Sequence, residues 1–210
     1  TQSLRRSFQR LNNLNFFESV EIVPQEVKPN WVDLQVRVKE KPTGTFSVGG
    51  GYSSVDRLVG LVEVTQGNLF GRGHLLRGRL ETGKRRTTYS LTFREPYLLD
   101  YPVAGTVDLF DQERNFNSYK ESRRGGGLVF SKEFNEFMSG SVGYTLENLR
   151  IFDTPKDATG VCTAADLICQ QEKLGGTSTS SLSMSVARDT RDFFFDPRQG
   201  SRNLISYEHA

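Results

Sequence analysis

The chain holds no run of about 18 apolar residues, which excludes a transmembrane helix. It also lacks a charge of one sign: 27 Lys and Arg stand against 25 Asp and Glu, interspersed along 210 residues. That balance excludes a polyanion-binding surface and argues against nucleic acid as a partner. Histidine is almost missing, with His74 and His209 alone and neither near a nucleophile or ligand in sequence. No catalytic residue, metal site or cofactor is therefore expected, and the chain reads as a non-enzyme. Gly49-Gly50-Gly51 is not followed by a helix, so it is no phosphate loop. The first residues, Thr1 to Arg6, hold neither an apolar segment nor a cleavage site, so they are not a signal peptide. Cysteine is scarce too. Cys162 and Cys169 lie close together in a polar stretch, as a local disulfide of an oxidising exterior or as two free thiols.

What is present is glycine, 20 of them, and 15 phenylalanines against a single tryptophan. Strands favour aromatic and β-branched side chains, and glycine collects at turns and crowded backbone. The mean hydropathy of -0.49 does not exclude a membrane. A transmembrane barrel strand needs only about 9–11 residues, with lipid-facing apolar side chains alternating with polar ones.

Periodicity then divides the chain. Leu4, Phe8, Leu11 and Leu14 predict a helix over residues 1–17. Val20 and Ile22 predict a strand that Pro24 limits, and Val32, Leu34, Val36 and Val38 alternate with charged and polar residues in a second. A helix and two strands in about 40 residues bury too little surface to stand alone, so the earlier elements of this unit are expected outside the chain. After the linker at 41–44, period-2 segments follow one another from Phe46 to a strand that begins near Asn203. Connections at 67–73, 99–102 and 135–136 read as short turns. Asp111 to Arg124 and Arg150 to Gly176 read as long polar loops. Alternation of short and long connections is the pattern of an outer-membrane barrel.

The residues carry a resemblance over essentially the whole chain. Leu11-Asn12-Asn13-Leu14-Asn15-Phe16-Phe17-Glu18-Ser19-Val20, and the strand ending Val38-Lys39-Glu40-Lys41-Pro42, are similar to the second half of a POTRA module. Gly49-Gly50-Gly51-Tyr52 resembles the first barrel strand of BamA-type outer-membrane assembly factors. Asn68-Leu69-Phe70-Gly71-Arg72-Gly73 resembles their turn between the second and third strands, and Glu95-Pro96-Tyr97 the end of the fourth. Arg188-Asp189-Thr190-Arg191-Asp192, Phe195-Asp196-Pro197 and Gly200-Ser201-Arg202 resemble the turn into the ninth. No one of these motifs is specific; five in order are.

The resemblance implies a mostly β fold. Residues 1–42 would be the C-terminal part of an α+β POTRA module. Residues 43–210 would be the N-terminal part of an antiparallel transmembrane β-barrel, roughly eight or nine of sixteen strands. It implies the bacterial outer membrane, with the N-terminal segment in the periplasm. The implied role is folding and inserting β-barrel proteins there. Implied partners are unfolded outer-membrane β-barrel clients, outer-membrane lipoproteins of the assembly complex, periplasmic chaperones and outer-membrane lipid. Thr45, Phe46, Ser47, Val48, Gly49, Gly50, Gly51 and Tyr52 would form one side of a lateral gate, where a client strand adds by β-augmentation. Against that stands a plainer role for the three glycines, a bend or tight packing. Gly71, Gly73, Pro197 and Gly200 are expected as structural turn residues. Arg188, Asp189, Arg191 and Asp192 are expected as compensating charges at a barrel end. Two other functions stay open: a related two-partner secretion or TamA-like transporter, and a passive porin-like channel.

Overall fold

The computed structural model describes residues 8, 11, 14, 16–28, 31–156, 167–191 and 198–210, with the backbone alone at 26–28 and 31. The chain divides into two compact units, residues 1–44 and 45–210.

In the first unit, β1 (Phe17–Lys28) and β2 (Trp31–Glu40) form a two-stranded antiparallel ribbon. Its register sets Val20 opposite Val38 and Ile22 opposite Val36, so the alternating apolar residues share one face. The Lys41 N–H donates to the Phe16 carbonyl at 3.1 Å and ties the base of the ribbon. Phe8 and Leu11 are helical, as the apolar spacing predicts; Leu4 lies outside the described residues, and Phe17 already belongs to β1. Pro24 does not limit the strand. β1 runs through it, with Pro24 opposite Leu34. In a two-stranded ribbon, half of each strand's N–H groups point away from the partner, so a missing donor is tolerated.

The second unit is one antiparallel meander of nine strands. They are β3 (Gly44–Ser53), β4 (Arg57–Leu69), β5 (His74–Gly83), β6 (Arg86–Glu95), β7 (Ala104–Asn115), β8 (Lys120–Glu133), β9 (Met138–Phe152), β10 (Thr177–Asp189) and β11 (Arg202–His209). Each pairs only with its neighbours in sequence, and β3 and β11 are the two edges. Directly paired residues share a face, so the register separates two surfaces. One paired row reads Leu76, Phe93, Val107, Leu128, Tyr144 and Leu182; the row beside it on the opposite face reads Thr65, Arg77, Thr92, Asp108, Gly127, Thr145 and Ser181. This is the apolar-out, polar-in division of a transmembrane barrel wall.

The apolar band also slides along the sheet. On β6 it is Tyr89, Leu91 and Phe93; on β10 it is Leu182, Met184 and Val186, and Phe93 shares its row with Leu182. The band thus leaves the rows of β6 on one side and those of β10 on the other. A level membrane belt crossing tilted strands has this form. Deep burial is correspondingly rare: among the described residues, only Val20, Ala104, Gly143, Thr154 and Cys169 are buried.

One expectation about connections fails. Residues 111–115 complete β7 and 120–124 begin β8, leaving four residues between them. Charges close this polar stretch as paired strand instead of opening it as a loop: Arg124 Nε lies 2.9 Å from Asp111 Oδ2, its partner in register. At the end where residues 41–43 lead into β3, here the linker end, the connections hold 4, 8, 4 and 12 residues. At the far end they hold 3, 2, 4 and 24. Loop length does not sort the two ends; only residues 153–176 form a long far-end loop, and it carries α1 (Leu167–Lys173).

Candidate strand-docking edge

β3 is the most open strand of its half of the sheet. Phe46 is 69 %, Val48 68 % and Tyr52 80 % exposed. A Cβ on Gly49 would lie 3.9 Å from the Leu61 Cβ, which belongs to the polar face. Gly49 therefore sides with that face, along with Thr45, Ser47 and Gly51, and Phe46, Val48, Gly50 and Tyr52 take the apolar one. A Cβ on Gly50 would stand 3.5 Å from the Val59 carbonyl, and one on Gly51 would meet nothing within 4 Å. The glycine run is uncrowded, so close packing inside the sheet is no reason for it. Gly50 and Gly51 instead open a shallow apolar hollow with Leu58, Val59, Gly60, Thr82 and Gly83. Among the described residues no strand pairs with the other side of β3, whose outward N–H and C=O groups are those a strand would pair with.

Turn residues take the conformations their types favour. Gly71 and Gly73 both have φ of 74°, and Gly200 has φ of 92°. Asn68 closes the β4–β5 turn twice, its carbonyl accepting from Gly71 N–H at 3.0 Å and its Oδ1 from Gly73 N–H at 2.9 Å. Arg191 clasps Asp189 bidentately, Nε to Oδ1 at 2.9 Å and the terminal nitrogen to Oδ2 at 2.6 Å. These two charges compensate each other at the strand end; no metal-ligand cluster occurs among the described residues. Pro197, Asp192, Phe195, Asp196 and Cys162 lie outside the described residues.

The polar face of β4 to β6 is a ladder of ions. Glu63 lies 3.9 Å from Arg77 and 3.8 Å from Arg79; Glu81 lies 3.0 Å from Arg79 and 2.6 Å from Arg86. The arginines are about half exposed and the two glutamates less so, and such partly solvated pairs add little stability.

An Omp85 superfamily domain model matches residues 68–210. The chain belongs to the Omp85 superfamily. It is 30 % identical over 197 residues to the outer membrane protein assembly factor BamA of Neorickettsia risticii, covering 92 % of this chain and 26 % of that protein. It is 28 % identical over 200 residues to the BamA of Nitratidesulfovibrio vulgaris, covering 94 % and 24 %. The chain thus spans about a quarter of the length of these curated relatives. In fold it is similar to the crystal structure of Haemophilus ducreyi BamA lacking POTRA domains 1-3, with a TM-score of 0.72 at 20 % identity, over 98 % of this chain and 41 % of that one. With its apolar-out wall, this Omp85 chain is an outer-membrane protein.

Cys169 is fully buried and disulfide-bonded, the first of the two alternatives the sequence left open for it. What escaped the sequence is what surrounds it and one ion pair of this Omp85 sheet. Cys169 anchors α1, whose Glu172 accepts from the Thr154 hydroxyl and lies 3.3 Å from Lys156 Nζ. The Thr154 hydrogen bond, seconded by Lys156, holds the Glu172 carboxyl below the usual carboxylate range. At the linker end, His74 Nε2 lies 3.8 Å from Glu95 Oε1, though 21 residues separate them. The signal was available: His74 continues the face of Leu76 and Glu95 that of Phe93, and Leu76 and Phe93 are partners.

Proposed function

We propose that this chain contributes the client-receiving part of a machine that folds and inserts β-barrel proteins into the outer membrane, with β3 as the receiving strand. The single observation that carries this reading is an uncrowded, glycine-rich strand that ends the membrane-spanning sheet among the described residues. The names of the BamA relatives support the broader role. Residues 1–42 are read as the end of a periplasmic POTRA module. Lipoproteins and chaperones that bring unfolded clients would act on that side.

Edge pairing suits the task because it ignores client sequence. Each main-chain hydrogen bond contributes about 0.5–1.5 kcal/mol net, whatever the side chains. Release has to follow capture, and here the glycines act. Cross-strand side-chain pairs add about 0.2–1 kcal/mol each, and Gly49, Gly50 and Gly51 forgo them. The seam formed at Thr45 to Tyr52 is therefore weak enough to exchange one strand for another.

A photo-crosslinking residue in place of Ser47, in the intact protein reconstituted in liposomes, tests the proposal. A client in the act of inserting is expected to crosslink at 47. Insertion at full rate without that crosslink would reject β3 as the receiving strand. Steady ion conduction with no acceleration of client insertion would favour a passive channel.

A further inference from the structure

At the linker end the turns behave unlike ordinary turn tips. Phe70 and Leu99 are 85 % and 80 % exposed and are held at φ of 58° and 53°. Left-handed backbone is disfavoured for any side chain with a Cβ, and bulky apolar residues at such positions are rare. Neither residue packs into the protein, so nothing within the sheet accounts for a large apolar group at a strained tip. Other apolar residues of the linker-end connections, Leu98 beside Leu99 and Phe134 in the β8–β9 turn, fold back onto the lipid-facing side. A Cβ on Gly105 would lie 3.6 Å from Leu98 Cδ1, and one on Gly140 would lie 2.8 Å from Phe134 Cε2. Both glycines sit on the apolar face, in the rows of Phe130 and Val186. Apolar side chains from these turns therefore extend the apolar face, interrupted by the polar His74 and Glu95. At the far end the short tips are mainly polar, at Ser54 and Asp56, Lys84 and Arg85, Asn117 and Ser118, with Val55 the exposed apolar exception and Leu167 and Leu174 exposed in the long loop.

Between the β4–β5 turn and the β6–β7 connection, the same surface opens into a polar pocket of about 560 Å³, lined by Arg72, His74, Glu95, Tyr97 and Asp100. It is on the lipid-facing side, because His74 and Glu95 extend the faces of Leu76 and Phe93, and the His74 ring meets Phe93 edge-on at 5.5 Å. Arg72 and Asp100 have no ion-pair partner among the described residues, and Asp100 is itself held at φ of 65°. The pocket thus offers one free cation and two carboxylates at the border of an apolar belt.

We propose that this pocket binds the headgroup of a zwitterionic phospholipid with a primary ammonium, while Phe70 and Leu99 enter the acyl boundary beside it. Arg72 takes the phosphate, since a guanidinium matches its oxygens bidentately. Glu95 and Asp100 accept from the ammonium, which a quaternary choline headgroup cannot donate. Tyr97 sits at the interface with its ring in the apolar layer and its hydroxyl wet. The site would fix the depth of the wall in the leaflet, independently of which strand receives a client.

Two measurements on the intact protein test this. The first places tryptophan at the tips, Phe70→Trp or Leu99→Trp, with Ser118→Trp as the far-end control, in nanodiscs of phospholipid brominated high on its acyl chains. Added fluorescence at positions 70 and 99 should be quenched and that at 118 should not. The second counts lipid retained in native mass spectrometry from mixed phosphatidylethanolamine and phosphatidylglycerol micelles. One phosphatidylethanolamine should be retained, and Arg72→Ala or Asp100→Asn should weaken it roughly tenfold. Equal quenching at all three positions, or equal retention by the variants, overturns the proposal. Quenching that appears only after a lipoprotein is stripped away would mean that the turns dock protein, and would overturn it too.

Discussion

The chain contains the tripeptide Gly-Gly-Gly twice, at 49–51 and at 125–127, and the two copies live in opposite surroundings. In β8, a Cβ on Gly125 would lie 2.5 Å from the Leu146 carbonyl, 2.7 Å from Phe110 Cζ and 3.0 Å from Glu147 Cα. One on Gly126 would lie 2.8 Å from Leu109 Cδ2 and 3.1 Å from the Asp108 carbonyl. The interior copy is glycine because side chains and backbone of β7 and β9 occupy the space a Cβ needs. In β3, a Cβ on Gly51 would meet nothing within 4 Å. The edge copy has no packing reason to be glycine. Identical residues thus serve structure in one place, and in the other are left to a use such as strand exchange.

The largest effect should separate the copies outright. Gly125→Ala is expected to cost about 2–3 kcal/mol in unfolding of the intact protein from lipid vesicles, because backbone at Leu146 must move. Adding Phe110→Ala should relieve only the part due to the ring. Gly51→Ala should change stability by no more than about 0.5 kcal/mol, since it fills open solvent, while slowing client insertion by strengthening the seam. Equal losses of stability at 51 and 125 would erase the comparison.

The smallest effect concerns the long far-end loop, where one carboxylate takes the part that crowding plays in β8. The Glu172 carboxyl lies below its ordinary value, so the order it gives α1 is fully present above the unfolded carboxylate pKa of about 4.3. That order is lost as pH falls through the lower folded value. Hydrogen exchange in Leu167–Lys173 should accelerate, relative to the sheet, only in that acidic window, and Glu172→Gln should remove the dependence.

Much of the wall was legible because its signal is local. Alternation at Tyr89, Leu91 and Phe93, or at Leu182, Met184 and Val186, needs no knowledge of neighbours: a half-exposed strand shows its two faces at period 2. The lengths of β7 and β8 were not legible for the opposite reason. Asp111 to Arg124 looks like loop until Arg124 is set against Asp111 across the hairpin. The same holds at the pocket, where His74 gains Glu95 only through the pairing of β5 with β6.

By itself, the sequence determined which residues face which side of the wall, where the chain turns at Asn68 to Gly73, and its place in the Omp85 superfamily. These are properties of short segments, set by side-chain period and turn chemistry. The tertiary structure alone decided which glycine run is crowded, how far the charged strands extend, and that charges from two turns meet at the edge of the apolar belt. Each of those depends on register between strands, and register brings together residues whose separation along the chain conceals their contact.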